Sequence, residues 1–441
     1  MSACISATPS GMPSHALSDN SRPAASPHAA APERDARPYK TDRTDMTPGH
    51  DQGRDLSGAL VLLMAAAAGL CVASIYYNQP MLGILARAFH VGQGEISLIP
   101  ILTQAGYAAG LLLLTPLGDR LERRGLIVWS VAALAVALVL SGFAQGLWTL
   151  AAASLAVGAL ATVAQQIVPM AAQLAPDNQK GRVVGLVMAG LLSGILLSRT
   201  VSGLVSEYAS WRLLFWMAGG VCAALAAVLA ARLPVVRAAT TITYPRLLLS
   251  LLQLFRAHGL LRRSGLVQGL LFSGFVSFWA SLAFFLEQPP FRMGSSVAGA
   301  LGVIGIVGVM AAPLAGRLAD TWSGQDGNRR IIVLGAAAVA ASFALFWTGR
   351  TSMAALVAGI ILMDAGLQVA MVANQARVYA LDAGARSRLN TVYMTMMFLG
   401  GALGTAIGAQ AYAHFGWAGV CGFGAASSLL GFACEYLGGR G

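Results

Sequence analysis

The 441 residues are 56% hydrophobic, only 11% charged, and carry a formal net charge of +11. Soluble domains average about 25% charged residues, so a soluble chain of this composition could not cover its own surface. A disulfide scaffold, a coiled coil and a disordered hub are excluded as well, which leaves a multi-spanning membrane protein.

Residues 1–55 hold 13 of the 47 charged residues and are rich in Pro, Ser, Ala and His. They have no apolar run to offset the entropy of ordering, so they read as a disordered tail on the cytoplasmic side. No apolar segment follows a basic start there, which argues against a signal peptide. From Leu56 onward, apolar runs of about 20 residues succeed one another, each long enough to cross a hydrocarbon core of about 30 Å. Twelve helical spans are expected, near 57–80, 96–118, 125–144, 147–173, 182–206, 211–232, 264–286, 295–318, 330–349, 351–377, 387–412 and 417–438. The expected organisation is a tail (1–55), a six-helix half (56–232), a linker (233–263) and a second six-helix half (264–441). Within the linker, Arg246 to Arg263 is basic and amphipathic, which suits either the membrane surface or a plain connection.

With the N-terminus in the cytoplasm, 24 of the 29 Lys and Arg fall in cytoplasmic segments and four (Arg87, Arg212, Arg292, Arg350) in external ones. Arg199 alone lies within a span. This is the positive-inside pattern, and it accounts for the net charge without nucleic acid. Lysine occurs twice against 27 arginines. That bias, with abundant Ala and Gly, suggests a GC-rich bacterial genome and therefore the bacterial inner membrane, with both termini cytoplasmic. The five cysteines are scattered through mostly apolar runs with no metal-ligand spacing; they read as small buried hydrophobes, and neither metal nor cofactor is expected.

The halves repeat in register. Asp119 and Asp320 are 201 apart, whereas Arg123 and Arg329, Arg124 and Arg330, Arg182 and Arg388, Gly194 and Gly400, and Trp211 and Trp417 are each 206 apart. An expansion near Ser323–Gly327 absorbs the difference. Two parallel six-span units follow from this spacing.

These features resemble the major facilitator superfamily of secondary transporters, over roughly 57–438. The family loop G-x-L-A-D-R-x-G-R-R corresponds to Thr115-Pro116-Leu117-Gly118-Asp119-Arg120-Leu121-Glu122-Arg123-Arg124, with both family glycines replaced. A second copy retains Gly316-Arg317-Leu318-Ala319-Asp320. The resemblance implies a cytoplasmic gate of Asp119, Arg120, Arg123 and Arg124 with Asp320, Arg329 and Arg330. Within the family the chain looks most like the drug and small-solute proton antiporters. Gly190 and Gly194 fit that group's G-x-x-x-G-P-x-x-G-G motif, while Ile195 stands in place of its proline, and Ser154 stands where the group embeds an arginine in span four. Proton-coupled efflux of a small organic solute is thereby implied, with proton-coupled uptake of an organic solute, anions included, as the alternative, and a monomer as the assembly.

Charges at bilayer depth are costly and mark function by default. Arg199, about 10 Å from the outer end of span five at ~1.5 Å per residue, and Asp364, near the middle of span ten, stand out. By resemblance, Asp364 faces the central cavity and Arg199 its edge or the interface between halves. A cation moving relative to a buried carboxylate changes its proton affinity, so this pair is the candidate for proton coupling or substrate binding. Gln368, Asn78, Gln79, Gln165, Gln166 and Asn374 are further candidates. Tyr393, Met394 and Trp279 read as packing. Glu95, Glu207, Glu287 and Glu435 lie near span ends and read as interfacial charges. The histidines lie in the tail, in loops or at span ends, and no phosphate loop or nucleophile–base pair assembles, which excludes a membrane enzyme.

Overall fold

The computed structural model describes residues 57–176, 178–236, 242–305, 325–382 and 384–438, and these form helices and their connections. In lipid each backbone polar group must be satisfied within its own segment, so the Ala-, Leu- and Gly-rich runs become helices. In chain order they are α1 (Gly58–Ala73), α2 (Leu82–Phe89), α3 (Gln93–Ile96), α4 (Leu98–Leu113), α5 (Leu117–Arg120), α6 (Arg123–Gly142), α7 (Leu147–Ala161) and α8 (Ala164–Leu174). Then follow α9 (Lys180–Tyr208), α10 (Trp211–Arg232), α11 (Tyr244–Ala257), α12 (Gly259–Glu287), α13 (Ser295–Ile304), α14 (Gln325–Thr348), α15 (Met353–Tyr379) and α16 (Arg386–Leu437).

Among the described residues, nine helices are long and apolar enough to cross a membrane. The difference from twelve has three sources. The expected span 57–80 is not continuous: α1 stops at Ala73, and a buried turn carries the chain past Pro80 to α2. Ser74 Oγ donates to the Cys71 carbonyl at 2.5 Å, and proline has no N–H with which to continue a helical ladder. The expected span 295–318 is described only through Gly305. The eleventh and twelfth spans run on as α16, divided at Gly416, whose φ of 60° only glycine adopts readily. Span four is likewise interrupted, between α7 and α8. The tail, Arg317, Asp320 and Arg440 lie outside the described residues.

The register found in the sequence reappears in the packing. Gly194 of α9 lies against Gly69 of α1, and Gly400 of α16, 206 residues on, lies against Gly269 of α12. A side chain on Gly194 would collide with the Gly69 carbonyl. Small residues let helices approach where lipid offers no hydrophobic force to join them. Gly194→Val is expected to lower stability by about 1–3 kcal/mol, the usual cost of overpacking, seen as a lower melting temperature in detergent; an unchanged melting temperature would refute this contact.

Helix α9 also packs on α13, and α4 on α16. One end of the bundle, here the linker face, gathers the end of α4, the start of α6 and the end of α16. Tyr244 donates to the Leu113 carbonyl at 2.8 Å, Arg123 N–H reaches the Val236 carbonyl at 3.4 Å, and Arg263 Nη1 donates to the Gly438 carbonyl. The amphipathic stretch of the linker is helical as α11, with Leu247 and Leu251 buried. At the opposite, far face, Arg87 pairs with Glu287 at 2.6 Å, and Glu207 accepts from Ser296 N–H at 2.6 Å. Thus the segments before and after the linker are tied together at the far face.

Candidate solute cavity

A cavity of about 550 Å³ begins at mid-depth and reaches the linker face. Thr115 of the α4–α5 turn, Ala172 of α8 and Arg386 of α16 line its linker-face end, and Arg386 and Ser387 are exposed there. Arg199, Asp364, Gln165 and Gln368 line its walls. Arg199 is 1% exposed and Asp364 8%. Helix α13 lets them approach because it is bare at this level. A methyl on Gly302 would come within 2.9 Å of Arg199 Cβ, and one on Gly305 within 3.2 Å of Asp364 Oδ2. The two charges form no ion pair with each other, and Arg199 Nη2 and Asp364 Oδ2 have no hydrogen-bond partner among the described residues.

Arg199 is held by other means. Its Nε donates to Gln79 Oε1 at 3.1 Å. Its Cζ lies 4.1 Å from the ring centre of Trp279, 5.0 Å from that of Tyr76 and 5.5 Å from that of Phe275. Aromatic faces stabilise a desolvated cation without neutralising it. The turn after α1 supplies Tyr76 and Gln79, which a continuous helix over 57–80 would have placed differently. That turn is anchored by Asn78, whose Nδ2 donates to Thr103 Oγ1 at 3.0 Å.

The remaining candidates separate. Gln165 donates to Tyr107 Oη at 3.2 Å, and Gln166 to the Leu114 carbonyl at 3.5 Å. Asn374 is not among the cavity-lining residues: its Nδ2 donates to Gln268 at 3.3 Å, and its Oδ1 accepts from Arg377 at 2.8 Å. That contact belongs to a cluster the sequence reading missed. Arg377 pairs with Glu435 at 2.6 Å, Arg263 pairs with the same carboxylate at 3.1 Å, and Arg377 also donates to Ser264. Glu435, expected as an interfacial charge, is 0% exposed. Burial of its carboxylate follows from neutralisation by arginines on α12 and α15. Nothing in the linear pattern joins residues 58 apart on different helices. Trp279, read as packing, stacks on Arg199, a contact that no hydropathy pattern signals.

At the linker face Arg123 spans Asp119 at 3.2 Å, the Gly118 carbonyl at 3.0 Å and Gln173 at 3.2 Å. Arg124 donates to the Ala230 carbonyl, and Arg329 to the carbonyls of Glu435 and Tyr436. Arg120 and Arg330 are exposed.

The family model described as Major Facilitator Superfamily matches residues 63–378. The chain belongs to the major facilitator superfamily. Two bacterial relatives of this superfamily chain cover nearly all of it. The uncharacterized transporter YgaY of Escherichia coli is 39% identical over 87% of this chain and 95% of its own. A probable transporter of Streptomyces coelicolor is 33% identical over 86% of this chain and 88% of its own. The crystal structure of the nucleoside transporter NupG superimposes with a TM-score of 0.69 at 15% identity, covering 86% of this chain and 98% of that one; it shows the shared fold. This member of the superfamily is a multi-pass membrane transporter and not an enzyme.

Proposed function

We propose that this transporter moves a small organic solute by alternating access, coupled to protons through Asp364. The observation that carries this reading is a buried acid and a buried cation lining one cavity, each with an unpartnered polar atom and not paired with each other. Such groups are costly at bilayer depth and suit a site that exchanges a proton or solute. The linker face is assigned to the bacterial cytoplasm on the basis of the arginine bias, with both termini there. The units 56–232 and 264–441 are assigned the rocking motion. Asp119, now engaged with its own Arg123, is assigned the gate that holds the cytoplasmic side when the cavity opens outward.

Efflux in exchange for protons is the first reading, supported by the resemblance of Gly190 and Gly194 to the antiporter motif. Uptake of an anionic solute is the second, and the open edge of Arg199 favours it. The test is mass-spectrometric accumulation of a metabolite and drug panel in cells with and without the transporter. Efflux predicts lower accumulation of some compounds and uptake predicts higher. In either case the difference is expected to vanish with a protonophore; a difference that survives would overturn proton coupling.

A further inference from the structure

We infer that the solute carries a carboxylate, or a comparable planar anion, which docks on Arg199. The inference rests on the assignment of this cavity as the transport site and adds the class of substrate. Its basis is a census of the polar atoms left unpartnered around the guanidinium. Arg199 Nη2, Gln79 Nε2 and Trp279 Nε1 are all buried and all lack a partner among the described residues. Each is a donor, and the orientation of Gln79 follows from its Oε1 already accepting from Arg199 Nε. Arg199 lines the cavity, and Gln79 and Trp279 touch its guanidinium.

Buried donors without acceptors are unfavourable. A carboxylate offers two oxygens with about four acceptor sites, and a guanidinium edge recognises that group in a way no neutral carbonyl matches. The unpartnered acceptors near this end are Asp364 Oδ2 and Asn78 Oδ1, the latter in the same turn as Gln79. A cationic solute would find one carboxylate there but would also face Arg199, so it is the excess of donors at the guanidinium that favours an anion. Beyond Arg199 and Asp364 the wall is mainly apolar, with Leu191, Leu192, Phe272, Met371, Met394 and Met397 interrupted by glutamines such as Gln165 and Gln368. The solute therefore combines one anionic head with an apolar body small enough for the cavity.

The experiment uses the purified full chain in detergent at constant pH. Two matched series are titrated: phenylacetate, phenylacetamide and phenethylamine, and hexanoate, hexanamide and hexylamine. Binding is read by thermal stabilisation and by calorimetry. Carboxylates are expected to bind at least about tenfold more tightly than their amides and amines, and Arg199→Gln is expected to abolish the preference. If that variant is not recovered folded, the ranking on the unaltered protein decides alone. Amides equal to carboxylates, amines binding more tightly, or no binding by either carboxylate would overturn the inference. No pH gradient is present in this measurement. A failure of proton coupling in the cellular assay and a failure of carboxylate preference here are therefore separate results.

Discussion

Asp364→Asn is expected to insert and fold normally yet lose at least about tenfold of its pH-driven transport, a change of ~1.4 kcal/mol or more in the coupled step. The asparagine is nearly isosteric and carries no charge, so it lowers the cost of placing this side chain at membrane depth. Asp364 Oδ2 has no hydrogen-bond partner to lose among the described residues. What the amide cannot do is gain and release a proton. In proteoliposomes the variant should therefore fail to concentrate solute when a pH gradient is imposed. Counterflow of labelled against unlabelled solute, which needs no net proton movement, should continue. Gradient-driven transport equal to that of the unaltered protein would refute the role of Asp364. Loss of counterflow as well would place Asp364 in solute binding rather than in coupling alone.

Glu435→Ala carries the largest expected effect on stability. The substitution leaves Arg377, 3% exposed, and the neighbouring Arg263 facing each other without their shared carboxylate. Removing one partner of a buried pair costs about 3–5 kcal/mol because the other charge stays buried and uncompensated. A large drop in melting temperature in detergent is the expected readout. The double variant Glu435→Leu with Arg377→Met should recover most of that loss, since it removes the stranded charge together with its partner. A double variant no better than Glu435→Ala alone would show that the cluster contributes through packing. The far-face pair provides a control. Arg87 and Glu287 have side chains 63% and 26% exposed, and breaking such a pair is expected to change stability by about 1 kcal/mol or less.

Fold class and transporter identity were legible from run length, composition and the Asp119–Arg124 loop, because lipid permits few backbone solutions and each leaves a one-dimensional trace. The 206-residue register paired Gly194 with Gly400, and both prove to meet a glycine of a neighbouring helix, since a close approach needs only a small residue at the right position. The prominence of Arg199 and Asp364 was also visible, because a charge within an apolar run stands out whatever surrounds it. Four other features needed coordinates: the turn at Tyr76–Gln79, the aromatic stacking on Arg199, the displacement of Asn374 from the cavity to Arg377, and the burial of Glu435. Each depends on which face of one helix meets which face of another. Hydropathy along a single helix is nearly uniform in a membrane protein, so it carries little record of those faces, and a charge near a helix end reads the same whether lipid headgroups or a buried arginine await it.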